Sequence, residues 1–190
     1  MYPSDFAYAA PTTLAEALQL LSQNPEAKVL AGGHSLLLAM RIRLMTPPML
    51  VDIGKLSELR GIQVNGNVSI GALTTYRDVE TSRELAERLP MLVECAANVG
   101  DPQVRNRGTI GGSVAHADPA ADMPTVVLAL GAEFKVVGLQ GERTIAAGDF
   151  FVDMLQSAVE PGELLTGITI PQMPAQMGSA YEKFKHPASG

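Results

Sequence analysis

Two glycine pairs, Gly32-Gly33 and Gly111-Gly112, sit far apart in the chain in nearly the same local setting. The first lies in Ala31-Gly32-Gly33-His34-Ser35 and the second in Thr109-Ile110-Gly111-Gly112-Ser113. In each, an apolar residue precedes the pair and a small hydroxylic side chain follows within two positions. A pair without Cβ atoms lets backbone N–H groups turn inward, and such a nest binds phosphate oxygens. One Gly-Gly alone more often marks an ordinary turn. Two suit the walls of a groove holding a diphosphate, the link within dinucleotides such as FAD and NAD. The first loop continues as His34-Ser35 and lacks the third glycine and the acidic partner of the Rossmann fingerprint. NAD in a doubly wound fold is therefore disfavoured.

Other chemistry-bearing residues are sparse. His116, Asp118 and Asp122 are metal-ligand types, but their spacing matches no compact chelate and no second histidine lies nearby. Asp122, just past the second loop, could accept hydrogen bonds from ribose hydroxyls or simply cap a helix. His34 neighbours Ser35 without the strand-turn-helix elbow of a nucleophilic serine. No carboxylate pair invites acid–base work, and the nine methionines read as core filler. A cofactor cradle without catalytic side chains suits a flavin, which carries its own redox chemistry.

The elements that must position these loops follow from patterning. Thr13 with Glu16 fits a capping box, after which Leu14, Ala17, Leu18 and Leu21 recur at helical spacing up to Asn24-Pro25. Lys28 to Ala31 reads as a strand running into the first glycine pair. Ser35 is expected to cap a helix from Leu36 to Arg43, stopped by Pro47-Pro48, and Leu50 to Ile53 forms another strand. Residues 1–54 thus form an N-terminal α/β unit with its phosphate loop between strand and helix. Residues 55–190 form a second, α+β unit. There, Asn65-Gly66 joins a hairpin, and a helical stretch runs from Tyr76 through Asn98 with a break at Pro90. The second loop precedes a helix from Asp122 to Leu130. Strands are expected at Glu133 to Val137, Arg143 to Ala146 and Leu164 to Ile170, with one more at Tyr181 to Lys185. Mixed, mainly antiparallel strands with scattered helices indicate an α+β class.

The 190 residues are 46% hydrophobic and carry a formal charge of −6, which describes a folded domain and disfavours nucleic acid as a partner. Arg105 and Arg107, the nearest thing to a basic cluster, read as a solvated loop. Cys95 is the only cysteine, which excludes an internal disulfide or an iron–sulfur cluster held by this chain alone. The start Met1 to Asp5 shows no secretory pattern, and apolar runs such as Thr125 to Leu130 are too short to cross a bilayer. A cytoplasmic location is expected.

In this order and spacing, Ala31 to Leu36, Asp101-Pro102-Gln103-Val104-Arg105 and Gly108 to Ser113 resemble the FAD-binding medium subunits of molybdenum hydroxylases. Within that family the chain resembles the medium subunit of aerobic carbon monoxide dehydrogenase, and the FAD domain of xanthine dehydrogenase more distantly. Tyr2-Pro3, Glu160 to Leu165 and Tyr181-Glu182-Lys183-Phe184 extend it over the whole chain. The resemblance implies a PCMH-type fold with FAD stretched between the two units. It implies that Ala31, Gly32, Gly33, His34 and Ser35, with Thr109, Ile110, Gly111, Gly112 and Ser113, hold the diphosphate. Lys28, Val29 and Leu30 would line the approach, and Leu36, Asp101 and Val104 fall among the cofactor-binding positions. Asp122 matches a ribose or nearby polar contact, Leu165 a residue packed on the flavin, and Lys183 a position in the strand passing it. Ser113 stands where many relatives carry Asn. The family's C-terminal domain would lie beyond His186 to Gly190, so a truncated chain is expected.

The resemblance also implies partners: a large molybdopterin-binding chain that oxidises substrate and a small chain with two 2Fe–2S clusters. FAD would pass their electrons to an external acceptor, in a dimer of heterotrimers, with an apolar docking surface near the flavin. Carbon monoxide, an aldehyde or an N-heterocycle all remain open as substrate. The alternatives are a stand-alone PCMH-type flavin oxidase and a scaffold that kept the fold but lost FAD.

Overall fold

Thr13 starts the first helix as its spacing predicts. Its hydroxyl accepts the Glu16 N–H at 3.2 Å, and the Glu16 carboxylate reaches back to the Thr12 N–H at 2.9 Å. In this computed structural model, which describes residues 2–174 and 176–184, that helix is α1 (Leu14–Gln23). It buries Ala17, Leu18 and Leu21 on a three-stranded parallel sheet of β1 (Ala7–Ala9), β2 (Lys28–Leu30) and β3 (Met49–Asp52), ordered β1-β3-β2. Each fully buried leucine contributes about 1.5–3 kcal/mol. Between β2 and β3 lies α2 (Leu36–Arg41). It ends two residues earlier than expected, because Arg43 takes a left-handed φ of 59°. Ser35 occupies the cap position but makes no side-chain cap hydrogen bond.

The second sheet is antiparallel, ordered β4-β5-β10-β6-β7. β4 (Ile62–Asn65) and β5 (Asn67–Gly71) form the expected hairpin about Gly66, whose φ of +78° suits glycine. The helical stretch after it is divided into α3 (Tyr76–Thr81), α4 (Arg83–Arg88) and α5 (Pro90–Ala97). Ser82 caps α4 by accepting the Leu85 N–H, and Pro90 opens α5, where its missing N–H costs nothing. Two helices follow where the sequence pattern predicts loop, α6 (Pro102–Arg107) and α7 (Ile110–His116). α8 (Asp122–Ala129) packs against α5, and Asp122 is its first residue, with Ala121 at the cap. The remainder is β6 (Glu133–Gly138), β7 (Gly141–Ala146), α9 (Ala147–Phe150), the small hairpin β8 (Phe151–Asp153) and β9 (Gln156–Ser157), and β10 (Leu164–Ile170). Tyr181–Phe184 lie outside any strand, contrary to the expectation of one; Lys185 and the tail through Gly190 lie outside the described residues.

β10 stands between two hydrophobic cores. Leu164 packs with Leu18, Val51 and Leu73, whereas Leu165 joins the larger core with Phe134, Ile168 and Val126. Successive strand residues face opposite ways, so one strand serves both. Arg105 corrects the expectation of a solvated basic loop. Its side chain is only 14% exposed, pairs with Glu80 at 3.1 Å, and donates to the carbonyls of Val99 and Gly100.

Candidate functional site

The two glycine loops meet. A Cβ on Gly32 would strike the carbonyl of Arg107 and stand 2.9 Å from Cα of Gly108. A Cβ on Gly112 would lie 3.9 Å from that of Ala31. Glycine at position 32 is thus required by close backbone approach. The second loop is itself pinned, because Tyr76 N–H donates to the Gly108 carbonyl and Ile110 N–H to that of Thr74, both at 3.0 Å. Tyr76 backs Gly108 so closely that a Cβ there would lie 2.7 Å from its ring.

The loops differ in what they offer. In the second, every N–H from Ile110 to Ser113 already has a protein acceptor. Ile110 and Gly111 donate to Thr74 and Ala72 carbonyls, Gly112 to the Thr109 hydroxyl, and Ser113 to the Thr109 carbonyl. In the first, the N–H groups of Gly32, Gly33, His34, Ser35 and Leu36 find no acceptor among the described residues. Gly33, at φ +80°, lets the chain present them. Five consecutive free amides on a partly exposed loop are a donor set for an anion with several oxygens, so the residues fit a diphosphate. Lys28 is exposed in β2 just ahead of this loop, with Val29 and Leu30 half-buried beside it.

At the start of α8, three side chains converge. The Asp122 carboxylate accepts the Tyr181 hydroxyl on Oδ1 and the Lys183 ammonium on Oδ2, both at 2.7 Å. Lys183 also donates to the Asn98 carbonyl at 3.3 Å. Sequence reasoning proposed Asp122 and Lys183 separately and missed Tyr181 as their companion. The signal was available, since residues two apart in an extended segment face the same way. Burial, and then the bond to Asp122, pushes the Tyr181 phenol above its ordinary range. Burial also pushes Tyr76 and Cys95 up to about 12.

The other expected positions are structural in what they touch. Asp101 caps α6 by accepting the Val104 N–H at 2.8 Å, and Val104 packs against Gly100. Leu165 is buried in the larger core. Ser113 is half-buried on α7, with His116 at that helix's last residue. Asp118 accepts the Ala120 N–H in a turn. Among the described residues no group of three or more His, Cys, Asp or Glu side chains could hold a metal ion, and no helix is long and apolar enough to cross a membrane.

Free amides on a glycine loop between a strand and a helix, set against a second glycine loop on an α+β scaffold, fit a dinucleotide diphosphate. Residues 4–173 match the model of the FAD binding domain in molybdopterin dehydrogenase. The chain belongs to that family, whose cofactor is FAD. It is 44% identical over 187 residues to the carbon monoxide dehydrogenase medium chain of Hydrogenophaga pseudoflava, covering 97% of this chain and 65% of that one. It is 41% identical over 186 residues to the 6-hydroxypseudooxynicotine dehydrogenase complex subunit alpha of Paenarthrobacter nicotinovorans, covering 97% and 63% respectively. The solved carbon monoxide dehydrogenase of Hydrogenophaga pseudoflava superposes with a TM-score of 0.94 at 45% identity, over 97% of this chain and 65% of that one. The chain therefore spans about two thirds of the length of these relatives, or slightly less.

Proposed function

We propose that this chain is the FAD-binding, electron-transferring part of a molybdenum hydroxylase. The observation that carries the reading is the run of five amides at Gly32–Leu36, unpaired among the described residues and held against the second glycine loop at Arg107–Gly108. Those amides would donate hydrogen bonds to the diphosphate oxygens. The second loop, whose own amides are spent, would close the groove through its backbone shape and the Thr109 and Ser113 hydroxyls. Lys28, Val29 and Leu30 would line the entry, with Ile110, Gly111 and Gly112 forming the opposite wall. Residues 1–54 and 55–190 would act as the two units that share the cofactor.

FAD, when bound, supplies the capacity to take up and release electrons. The chain's own residues bind and orient it. Asp122 would hold Lys183 beside the flavin end, with Asp101, Val104 and Leu165 supporting the pocket. The electrons would come from 2Fe–2S clusters in a small partner chain, which receives them from a large molybdopterin-binding chain, in a dimer of heterotrimers located in the cytoplasm. They would leave to an external acceptor. The named relatives act on different substrates at comparable identity, which supports a division of labour in which another chain selects the substrate.

Equilibrium dialysis of the purified protein against FAD, with NAD in a parallel cell, tests the reading. One FAD per chain with a flavin absorbance spectrum is expected. Stoichiometric NAD without FAD would overturn it.

A further inference from the structure

Thr74 is the most deeply buried polar side chain among the described residues, at 1% exposed. Its hydroxyl is spent on a single neighbour. It accepts the Gly61 N–H and donates to the Gly61 carbonyl, both at 3.1 Å, as a hydroxyl can do at once. The same carbonyl also accepts the Gly71 N–H at 2.9 Å, and the Leu73 N–H donates to the Leu59 carbonyl at 2.8 Å. The two backbones run so close that a Cβ on Gly71 would strike the Leu59 carbonyl. Arg60 adds a tie from the exposed side. Its guanidinium donates to the carbonyls of Leu73 at 3.4 Å and Gly54 at 3.3 Å.

What these contacts hold is the strip 72–76, and that strip carries the second glycine loop. Ala72 and Thr74 offer their carbonyls to the N–H groups of Gly111 and Ile110, and the Tyr76 N–H donates to the Gly108 carbonyl, all at 3.0 Å. Between them, Thr75 and Thr109 form an isolated antiparallel bridge. The loop therefore rides on the strip by backbone hydrogen bonds, in the alternate-residue manner of an antiparallel ladder. Its Gly108 is also where it meets Gly32 of the first loop. The strip is fixed to β10 at one end, where the Ala72 N–H donates to the Thr166 carbonyl at 3.0 Å. Thr74 lies at its middle, with its hydroxyl on Gly61 and its carbonyl on Ile110. A side chain shielded this fully from solvent cannot touch a ligand in the groove. It can set where the wall of that groove stands.

We propose that Thr74 is a positioning residue for the cofactor groove: by holding the 72–76 strip to Gly61, it sets the separation between the second glycine loop and the free amides at Gly32–Leu36. This rests on the FAD reading above. The test is FAD release and rebinding in the purified protein, followed by flavin fluorescence. Thr74→Val keeps the shape and removes the hydroxyl. FAD should bind about tenfold more weakly, the size expected from losing one or two hydrogen bonds, and the loss should lie in faster release. Thr74→Ser keeps the hydroxyl and should restore wild-type affinity. Hydrogen exchange in the FAD-free protein supplies a readout that general destabilisation would not move. In Thr74→Val the Ile110 and Gly111 amides should exchange faster, while those of β6 and β10 keep their protection. Arg60→Met, a change at an exposed position, should move FAD release and the same two amides in the same direction by a smaller factor. The proposal is overturned if Thr74→Val holds FAD as wild type does, if Thr74→Ser fails to restore affinity, or if β6 and β10 lose protection in step with Ile110 and Gly111. Should Thr74→Val not fold, it is overturned if Arg60→Met leaves FAD release and both amides unchanged. A wild-type protein that takes up no FAD defeats the cofactor reading itself, and this role with it.

Discussion

Gly32 sits directly against the carbonyl of Arg107, with no room between them for a methyl group. This contact joins two loops separated by most of the first half of the chain. Gly32→Ala should therefore push the loops apart. The obstacle is backbone and cannot rotate away, so a loss of about 1–3 kcal/mol in stability is expected. FAD affinity should fall at least tenfold, because the free amides would no longer face the closing wall. Thermal unfolding and equilibrium dialysis read the two effects separately. Unchanged FAD affinity would mean that loop contact is irrelevant to the cradle.

Much of this was legible in the chain. Period-2 and helical patterning located β4, β5, β6, β7, β10 and α1, and Asn65-Gly66 announced its hairpin. α6 and α7 were hidden for a physical reason. Their sequences, Pro-Gln-Val-Arg-Asn-Arg and Ile-Gly-Gly-Ser-Val-Ala-His, carry glycines and polar residues that argue for loop. Tertiary contact with Tyr76 and Ala72 makes them helical nonetheless. For the same reason the second glycine pair, which looks like a phosphate nest in sequence, proves to have its amides occupied.

That difference separates Gly111 from its neighbour. Patterning alone predicts that Gly111→Val abolishes FAD binding and spares the fold. In the structure a Cβ at Gly111 would lie 2.5 Å from Ala72 Cβ and 2.6 Å from the Ala72 carbonyl oxygen. Gly111→Val should therefore first lower stability, by about 1–3 kcal/mol or more, and lose FAD as a consequence. Thermal melts of the FAD-free protein distinguish the cases: an unchanged midpoint would return Gly111 to the role of a pure phosphate wall.

Cys95 should be inert in the native protein. Its side chain is fully buried, and burial, with the negative charge of Asp122 nearby, raises its thiol to about 12. At pH 8 almost no thiolate is present, and the thiolate is the reactive form. A thiol reagent at pH 8 should label the chain only after denaturant is added. Rapid labelling without denaturant would show that α5 opens locally.

The Arg143–Glu163 pair gives stability a defined dependence on pH. Arg143 grips the carboxylate with two hydrogen bonds, at 2.9 and 2.6 Å, and the Glu160 N–H adds a third. These hold Glu163 below the ordinary carboxylate range. A carboxyl whose folded value is depressed stabilises the fold above its unfolded value, and loses that contribution as pH falls through the folded one. The pair is partly solvent-screened, so Glu163→Gln should cost no more than about 1 kcal/mol at pH 7. The gap between wild type and variant should close as pH falls through and below the ordinary carboxylate range. Denaturant melts across that range check it, and a constant gap would assign the effect to shape instead of charge.

Asp122, Tyr181 and Lys183 form one device. Tyr181 stays protonated across the working range, because burial and the adjacent carboxylate both oppose its ionisation. It can therefore only donate to Oδ1, leaving Oδ2 for Lys183. Removing the hydroxyl in Tyr181→Phe should cost about 1.5–3 kcal/mol, the range for a hydrogen bond to a charged acceptor. Asp122→Asn removes the charge that holds Lys183 and should loosen the segment carrying both residues. A double-mutant cycle between these two changes isolates their direct term, and a coupling of about 1 kcal/mol or more is expected. If the pair orients Lys183 toward the flavin, Asp122→Asn and Lys183→Met should weaken FAD binding by similar factors, and the double variant should be little worse than either. Independent, multiplying losses in dialysis would mean that Asp122 and Lys183 act on the cofactor separately and that their 2.7 Å contact serves the fold alone.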